Sequence, residues 1–189
     1  VEPILDPALP IVDAHLHLWD MPGNRYLLED FHADAGSGHN IVSAVYVQSG
    51  VVSRSDGPED LRGVGETEFA ARLAAAHTGN GPRIGAILAP IDYAQGKNFE
   101  RTLAAHEEAA NGLLRGFRGI THWHADPEIH KIHTQSNMLM ASAALDAIGV
   151  VNKKRLSLDV WGFHTQLSEV LNIARTYPDL ALVVDHFGT

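Results

Sequence analysis

The chain has 189 residues, 45% of them hydrophobic, enough for one substantial domain with its own core. It carries 14 Lys and Arg against 23 Asp and Glu, a net charge of −9, which argues against nucleic-acid binding and against adhesion to anionic membranes. Cysteine is absent, so neither a disulfide framework nor a thiolate zinc site can be built, in keeping with a cytoplasmic protein.

The opening VEPILDPALPIVD lacks a basic region followed by an apolar core, so no signal peptide is expected, and no apolar run approaches the length of a membrane span. Ile11–His17 reads as a buried strand. The connection from Leu18 to Asn40 is long and glycine-rich and suits an active-site loop. Ile41–Val47 is a second strand, β-branched and apolar, and Glu66–His77 has apolar residues at helical spacing. Arg83–Ala89 is a third strand, followed by Pro90. Phe99–Asn111 is helical, with Gly112 placed to stop it. Leu114–Thr121 is a fourth strand interrupted by glycines, and Ser136–Ile148 a helix with Gly149 as its stop. Arg155–Trp161 is a fifth strand, Thr165–Tyr177 an amphipathic helix ending before Pro178, and Leu180–His186 a sixth strand.

Alternating strands and helices imply an α/β fold with a parallel sheet, and strands apolar on both faces agree with that. A doubly wound open sheet and a (β/α)8 barrel compete. After the first strand stands DAHLHLWD rather than a glycine-rich phosphate loop, which lowers the dinucleotide-binding form of the open sheet. No repeat or linker interrupts the chain, so residues 1–189 read as a single domain.

Histidine is the unusual count, at 12. In a barrel, catalytic side chains project from the C-terminal ends of strands. Asp13, His15 and His17 alternate and therefore point to one side of the first strand. Two imidazoles so placed can reach one metal ion, although His-x-His alone is a weak signal. His164 lies just past the fifth strand and His186 ends the sixth, so histidines recur at successive strand ends. Arg118, Ile120 and His122 share a side near the end of the fourth strand. Arg118 either grips a substrate carboxylate in a bidentate fork or makes an internal salt bridge, and sequence does not choose between them. Asp13 could support a ligand from behind. Asp185 should point away from its neighbour His186 and pair or cap structurally. Tyr46 and Gln48 could line the same rim, as a packed aromatic and a solvated amide in the plainer reading. His122 and Trp123 could meet substrate, His124 less so. His130 and His133 read as solvated, His77 and His106 as surface groups on helices, and His32 and His39 show no pattern.

The segments IVDAHLHLWD, GFRGITHW and WGFHTQLSEVLNIARTYPDLALVVDHFG resemble the amidohydrolase-related family of TIM-barrel metal-dependent hydrolases, its lactonase branch most of all. The resemblance runs over nearly the whole chain. It implies a (β/α)8 barrel of which about the first six β/α units are present. It implies metal ligands at His15, His17, His164 and His186, and a divalent ion, zinc or manganese, although some lactonases of this group work without one. Catalysis would rest on His164, His186 and Arg118, and substrate contact on Arg118, His122, Trp123 and Tyr46. The implied activity is opening of a small carboxylated or sugar-derived lactone by metal-activated water. The alternatives are a decarboxylase of an aromatic or unsaturated acid and, from another class, an inactive remnant or one half of a two-chain barrel. The family's acidic residue after the eighth strand has no counterpart here, and a barrel of this kind takes about 250 residues. A longer polypeptide, a truncated product, and a second copy or completing chain are the three readings that follow.

Overall fold

A computed structural model describes residues 3–133 and 135–189. The chain forms two compact units: one runs to Leu88 and takes in His106–Leu114, and the other comprises Ala89–Ala105 and Arg115–Thr189.

The first unit begins with β1 (Pro10–Leu16), which pairs in parallel with β4 (Asn40–Val47). β4 pairs in parallel with β5 (Arg83–Pro90), the strand within which the first unit ends. Apolar β-branched runs favour such buried strands. Their side chains Leu16, Ala44, Tyr46, Val47, Ile84 and Ile87 form a core with Val64, Phe69 and Ala70 of α2 (Val64–Ala76).

The stretch Leu18–Asn40 is not the loop that sequence predicts. It holds a hairpin, β2 (Trp19–Met21) and β3 (Asn24–Tyr26), and a helix, α1 (Leu28–Ala35). Two local causes were present in the residues. Pro22-Gly23 supplies a two-residue turn, with Gly23 at φ +76°, a conformation that costs glycine nothing. Leu28, Phe31 and Ala35 fall on one buried helical face, and the Asp30 carboxylate accepts the Leu27 N–H at 2.9 Å at the helix start. Gly36 and Gly38 follow the helix rather than break it.

In the second unit, β6 (Leu114–Ile120) pairs in parallel with β7 (Ser157–Trp161), setting Arg118 opposite Asp159 and Ile120 opposite Trp161. β7 pairs in parallel with β8 (Leu182–Val184). One glycine of β6, Gly119, has a steric reason. A Cβ on Gly119 would collide with the ring and hydroxyl of Tyr93, which lie against the strand backbone. The helices are α3 (Phe99–Ala109), divided between the units, α4 (Ser142–Lys153) and α5 (Leu167–Thr176). Phe99 meets Phe117 edge-on at 5.0 Å, and Leu139, Ala147, Ile148, Leu158 and Ile173 complete this core.

Several boundaries move. α3 ends at Ala109, short of the expected Asn111, and Asn111 and Gly112 that follow it both stand at positive φ. α4 starts six residues later than predicted and runs through Gly149 to Lys153. Gly149 is a contact residue, not a stop: a Cβ there would stand 3.2 Å from the Tyr177 hydroxyl, which donates to the Leu145 carbonyl at 2.7 Å. The sixth strand is short, because Asp185–Gly188 turns away with His186 and Phe187 in left-handed conformations. Among the described residues, no helix is long and apolar enough to cross a membrane.

Candidate functional site

In the first unit, β1 delivers the histidine pair. Leu16 and Leu18 are buried, and the alternation turns His15 and His17 to the other side, half-buried. The β1–β4 register slips between Asp13 and Leu16, where the Asp13 carboxylate accepts the backbone N–H of His15 at 3.1 Å. Asp13 thus supports the chain that carries the pair rather than an imidazole. His15 Nε2 and His17 Nε2 approach to 3.1 Å, with the rings edge-on at 86°. His17 Nδ1 lies 2.8 Å from the Val47 carbonyl, which can only accept. The proton therefore sits on Nδ1, and in the neutral ring Nε2 is left as a lone pair facing its neighbour. A carbonyl behind the ring and a lone pair in front is a donor arrangement that suits a divalent cation.

The end of β4 is also organised by a buried acid. Glu66, in the first turn of α2, accepts from the Ser49 N–H at 2.6 Å, the Gly50 N–H at 3.1 Å, the Ser49 hydroxyl at 3.1 Å and the Tyr46 hydroxyl at 3.0 Å. Burial pushes its carboxyl up, and these donors pull it down. Tyr46 therefore meets the packed-aromatic reading: it is buried and its hydroxyl is committed to Glu66, with burial and the Glu66 charge holding the phenol protonated. Gln48, expected as a solvated amide, is buried. His106 corrects the expectation of a surface group. It is 1% exposed, its Nδ1 lies 2.8 Å from the Thr67 hydroxyl, and burial lowers its pKa to about 4.

In the second unit, the site residues gather at the ends of β6 and β7. Arg118 is 2% exposed, and its Nε donates to Asp185 Oδ2 at 2.8 Å. Its guanidinium stands 4.5 Å from the ring centre of Trp161. Of the two readings of Arg118, this geometry is that of the internal salt bridge; Asp185 pairs structurally, but its carboxylate lies within 4.8 Å of a His186 ring nitrogen instead of pointing away from it. Asp159, beside Arg118 on β7, is buried with Oδ1 unpartnered. Burial and the Asp185 charge push its carboxyl up to about 7, Arg118 pulling the other way.

His122 is buried, stacked on Phe163 at 4.4 Å and edge-on to Trp161 at 4.0 Å, with Nε2 unpartnered. Burial, and then the nearby Arg118 charge, hold its pKa low, so it is neutral at pH 7. Its carbonyl accepts the N–H groups of Ile132 and His133. His124 accepts the Asp126 N–H at 3.0 Å. His130 is solvated as expected, His133 only half so. The Trp123 N–H donates to Gln166 Oε1 at 3.3 Å, and so does the Phe163 N–H at 3.2 Å, while the Gln166 amide donates to the Thr121 carbonyl. Gln166 thus ties the exits of β6 and β7 together.

His164 is exposed on a short 3-10 turn whose N–H meets the Thr189 carbonyl at 3.4 Å. His186 is exposed too, with Trp161 edge-on to its ring at 5.7 Å. Three residues of this group escaped sequence reasoning. Asp159 carried a signal, a charged residue inside an apolar strand. Trp161 and Gln166 carried none, because only their neighbours in space reveal them.

The sequence profile of the amidohydrolase family matches residues 12–189. A curated relative, an uncharacterized protein y4mH of Sinorhizobium fredii, is 24% identical over 206 residues, covering 95% of this chain and 63% of its own length. A crystal structure of an amidohydrolase from Burkholderia multivorans with bound Zn is similar at a TM-score of 0.66 and 20% identity, over 94% of this chain and 58% of that one. A putative 2-pyrone-4,6-dicarboxylic acid hydrolase from Pseudomonas putida is similar at 0.61 and 14%, over 94% and 57%. The chain therefore spans less than two thirds of the length of these relatives. The likeness shows the fold: β1, β4, β5, β6, β7 and β8, each with its connecting segments, are the six β/α units of a (β/α)8 barrel that the sequence predicts.

Proposed function

The chain belongs to the amidohydrolase family, and from that premise we propose that it acts as a metal-dependent hydrolase that opens a small carboxylated or sugar-derived lactone. The observation that carries this reading is the β1 pair, two imidazole nitrogens 3.1 Å apart with the His17 tautomer set by the Val47 carbonyl. His15, His17, His164 and His186 are the proposed ligands. Zinc is the proposed ion, and the zinc bound to the Burkholderia multivorans relative supports that choice. A divalent cation so held would lower the pKa of water and polarise the lactone carbonyl.

The chain's own groups supply the rest. His17 keeps its proton on Nδ1 and offers Nε2. His122, neutral through burial, presents an unpartnered Nε2 to which a substrate oxygen can donate or from which it can accept, according to tautomer. Trp123, anchored through its N–H to Gln166, flanks it as a substrate wall. The name of the Pseudomonas putida relative, a hydrolase of a ring ester bearing two carboxylates, supports a lactone as substrate class.

Elemental analysis of the purified protein, beside a His15→Ala/His17→Ala variant and a His164→Ala variant, tests the proposal. The wild type is expected to carry a divalent metal and hydrolyse members of a lactone panel, and the double variant to lose both. Equal metal content in wild type and double variant would move the site away from β1. A metal-loaded wild type inert on every lactone would remove the substrate assignment.

A further inference from the structure

The turn Asp185–Gly188 is an improbable piece of backbone. His186 lies at φ 52°, ψ 33° and Phe187 at φ 57°, ψ 19°, two consecutive non-glycine residues in the left-handed region. L-residues visit that region singly and at a cost, so two in a row persist only where the surroundings dictate them. The Phe187 side chain does not pack the turn in place, since it is fully exposed. What holds it lies on either side. Before it, the Asp185 carboxylate is drawn inward onto Arg118 Nε at 2.8 Å, both groups buried, and the Arg118 guanidinium is backed by the Trp161 ring at 4.5 Å. After it, Gly188 at φ 74° packs so close to Leu167 that a Cβ would stand 3.1 Å from Cδ2. The Thr189 N–H closes on the His186 carbonyl at 3.2 Å, and the Trp161 indole N–H donates to the Thr189 hydroxyl at 3.4 Å.

We propose that the buried Arg118–Asp185 pair, backed by Trp161, holds this left-handed turn and so fixes the direction of the His186 imidazole. Arg118 is then a positioning residue that acts through Asp185, rather than a fork that grips substrate. Trp161 serves twice, as the face against which the guanidinium lies and as the edge-on neighbour of His186. Side chains behind a ligand commonly matter this much: removing one costs roughly 10- to 100-fold in metal affinity. The consequence for metal rests on His186 being a ligand, as proposed above. The orientation of the ring does not.

The test compares wild type with Asp185→Asn and Arg118→Lys, reading the His186 imidazole resonances of the metal-free protein by 15N-edited NMR, assigned with His186→Gln. Zn2+ affinity is then measured without any substrate. Both variants are expected to move or broaden the His186 signals while those of His106, in the other unit, stay put, and to weaken Zn2+ binding roughly 10- to 100-fold. The double variant should be no worse than the weaker single one, because both break one bond. A group that only grips substrate would leave both readouts unchanged in folded variants, and that result would overturn the proposal. If the wild type takes up no Zn2+ yet Asp185→Asn still moves the His186 signals, the metal reading fails and the positioning role stands. Should Asp185→Asn not fold, Arg118→Lys, which keeps the charge and alters the fork, decides by the same signals.

Discussion

Lowering the pH from 7 to 5 should destabilise the protein through His106. The ring lies between helices, 1% exposed, against a Thr67 side chain that is itself buried. Burial lowers its pKa to about 4 from 6.5, so the folded state resists a proton that the unfolded state accepts. Stability contributed in this way is whole above 6.5 and is lost as pH falls toward 4. At pH 5 the unfolded ring is nearly all protonated and the folded ring nearly all neutral. At ~1.4 kcal/mol per pH unit, the unfolded state gains about 2 kcal/mol there. The loss levels off below pH 4 at about 3 kcal/mol. Urea melts at pH 7 and pH 5 read this out, with His106→Gln as a non-titrating reference that keeps a polar partner for Thr67. Wild type should lose about 2 kcal/mol more than the variant over that interval. Parallel losses in the two proteins would show that His106 is not the titrating group and that its burial has been misjudged.

Asp159 acts in the opposite sense over the same range, which is why a difference between two proteins is read above rather than a single slope. With its carboxyl pushed up to about 7 from 3.8, the folded state keeps a proton that the unfolded state releases, so stability falls as pH rises through that window. Asp159→Asn should gain about 2–3 kcal/mol on wild type between pH 5 and pH 8, and a pH-independent difference in urea melts would contradict this. Gly119→Ala should destabilise by about 1–3 kcal/mol, the usual range for overpacking, because its methyl meets the Tyr93 ring. A thermal midpoint equal to that of wild type would show that Tyr93 can yield.

The six strands were legible because each is a short apolar run bounded by turn residues, and runs such as IVSAVYV and RIGAILA admit little else. What failed were features that depend on contacts distant in sequence. Gly149 looked like a helix stop and is a gap for the Tyr177 hydroxyl, which is placed there by its bond to the Leu145 carbonyl. His106 looked like one more helix-surface histidine, since period alone cannot say that Thr67 waits on a neighbouring helix. The hairpin and α1 differ in cause: the glycines of this stretch mask a local helical face, Leu28-Phe31-Ala35, that lies within the sequence itself. At the site, the residue types at strand ends were readable, and so was the pairing role of Asp185. The tautomer of His17 and the placement of Arg118 against Trp161 were not, because a carbonyl and a ring face leave no trace in the letters.

The surroundings of Trp161 have an optical consequence. Its indole stands beside one fixed cation, the Arg118 guanidinium, and two imidazoles, those of His122 and His186. Protonated imidazole quenches indole emission and neutral imidazole does so far less. The light from this one side chain therefore follows the charge of its neighbours, against a background from Trp19 and Trp123 that Phe substitutions can remove. The protein carries its own fluorophore at the place where its chemistry would be watched, and no label needs to be attached to see it.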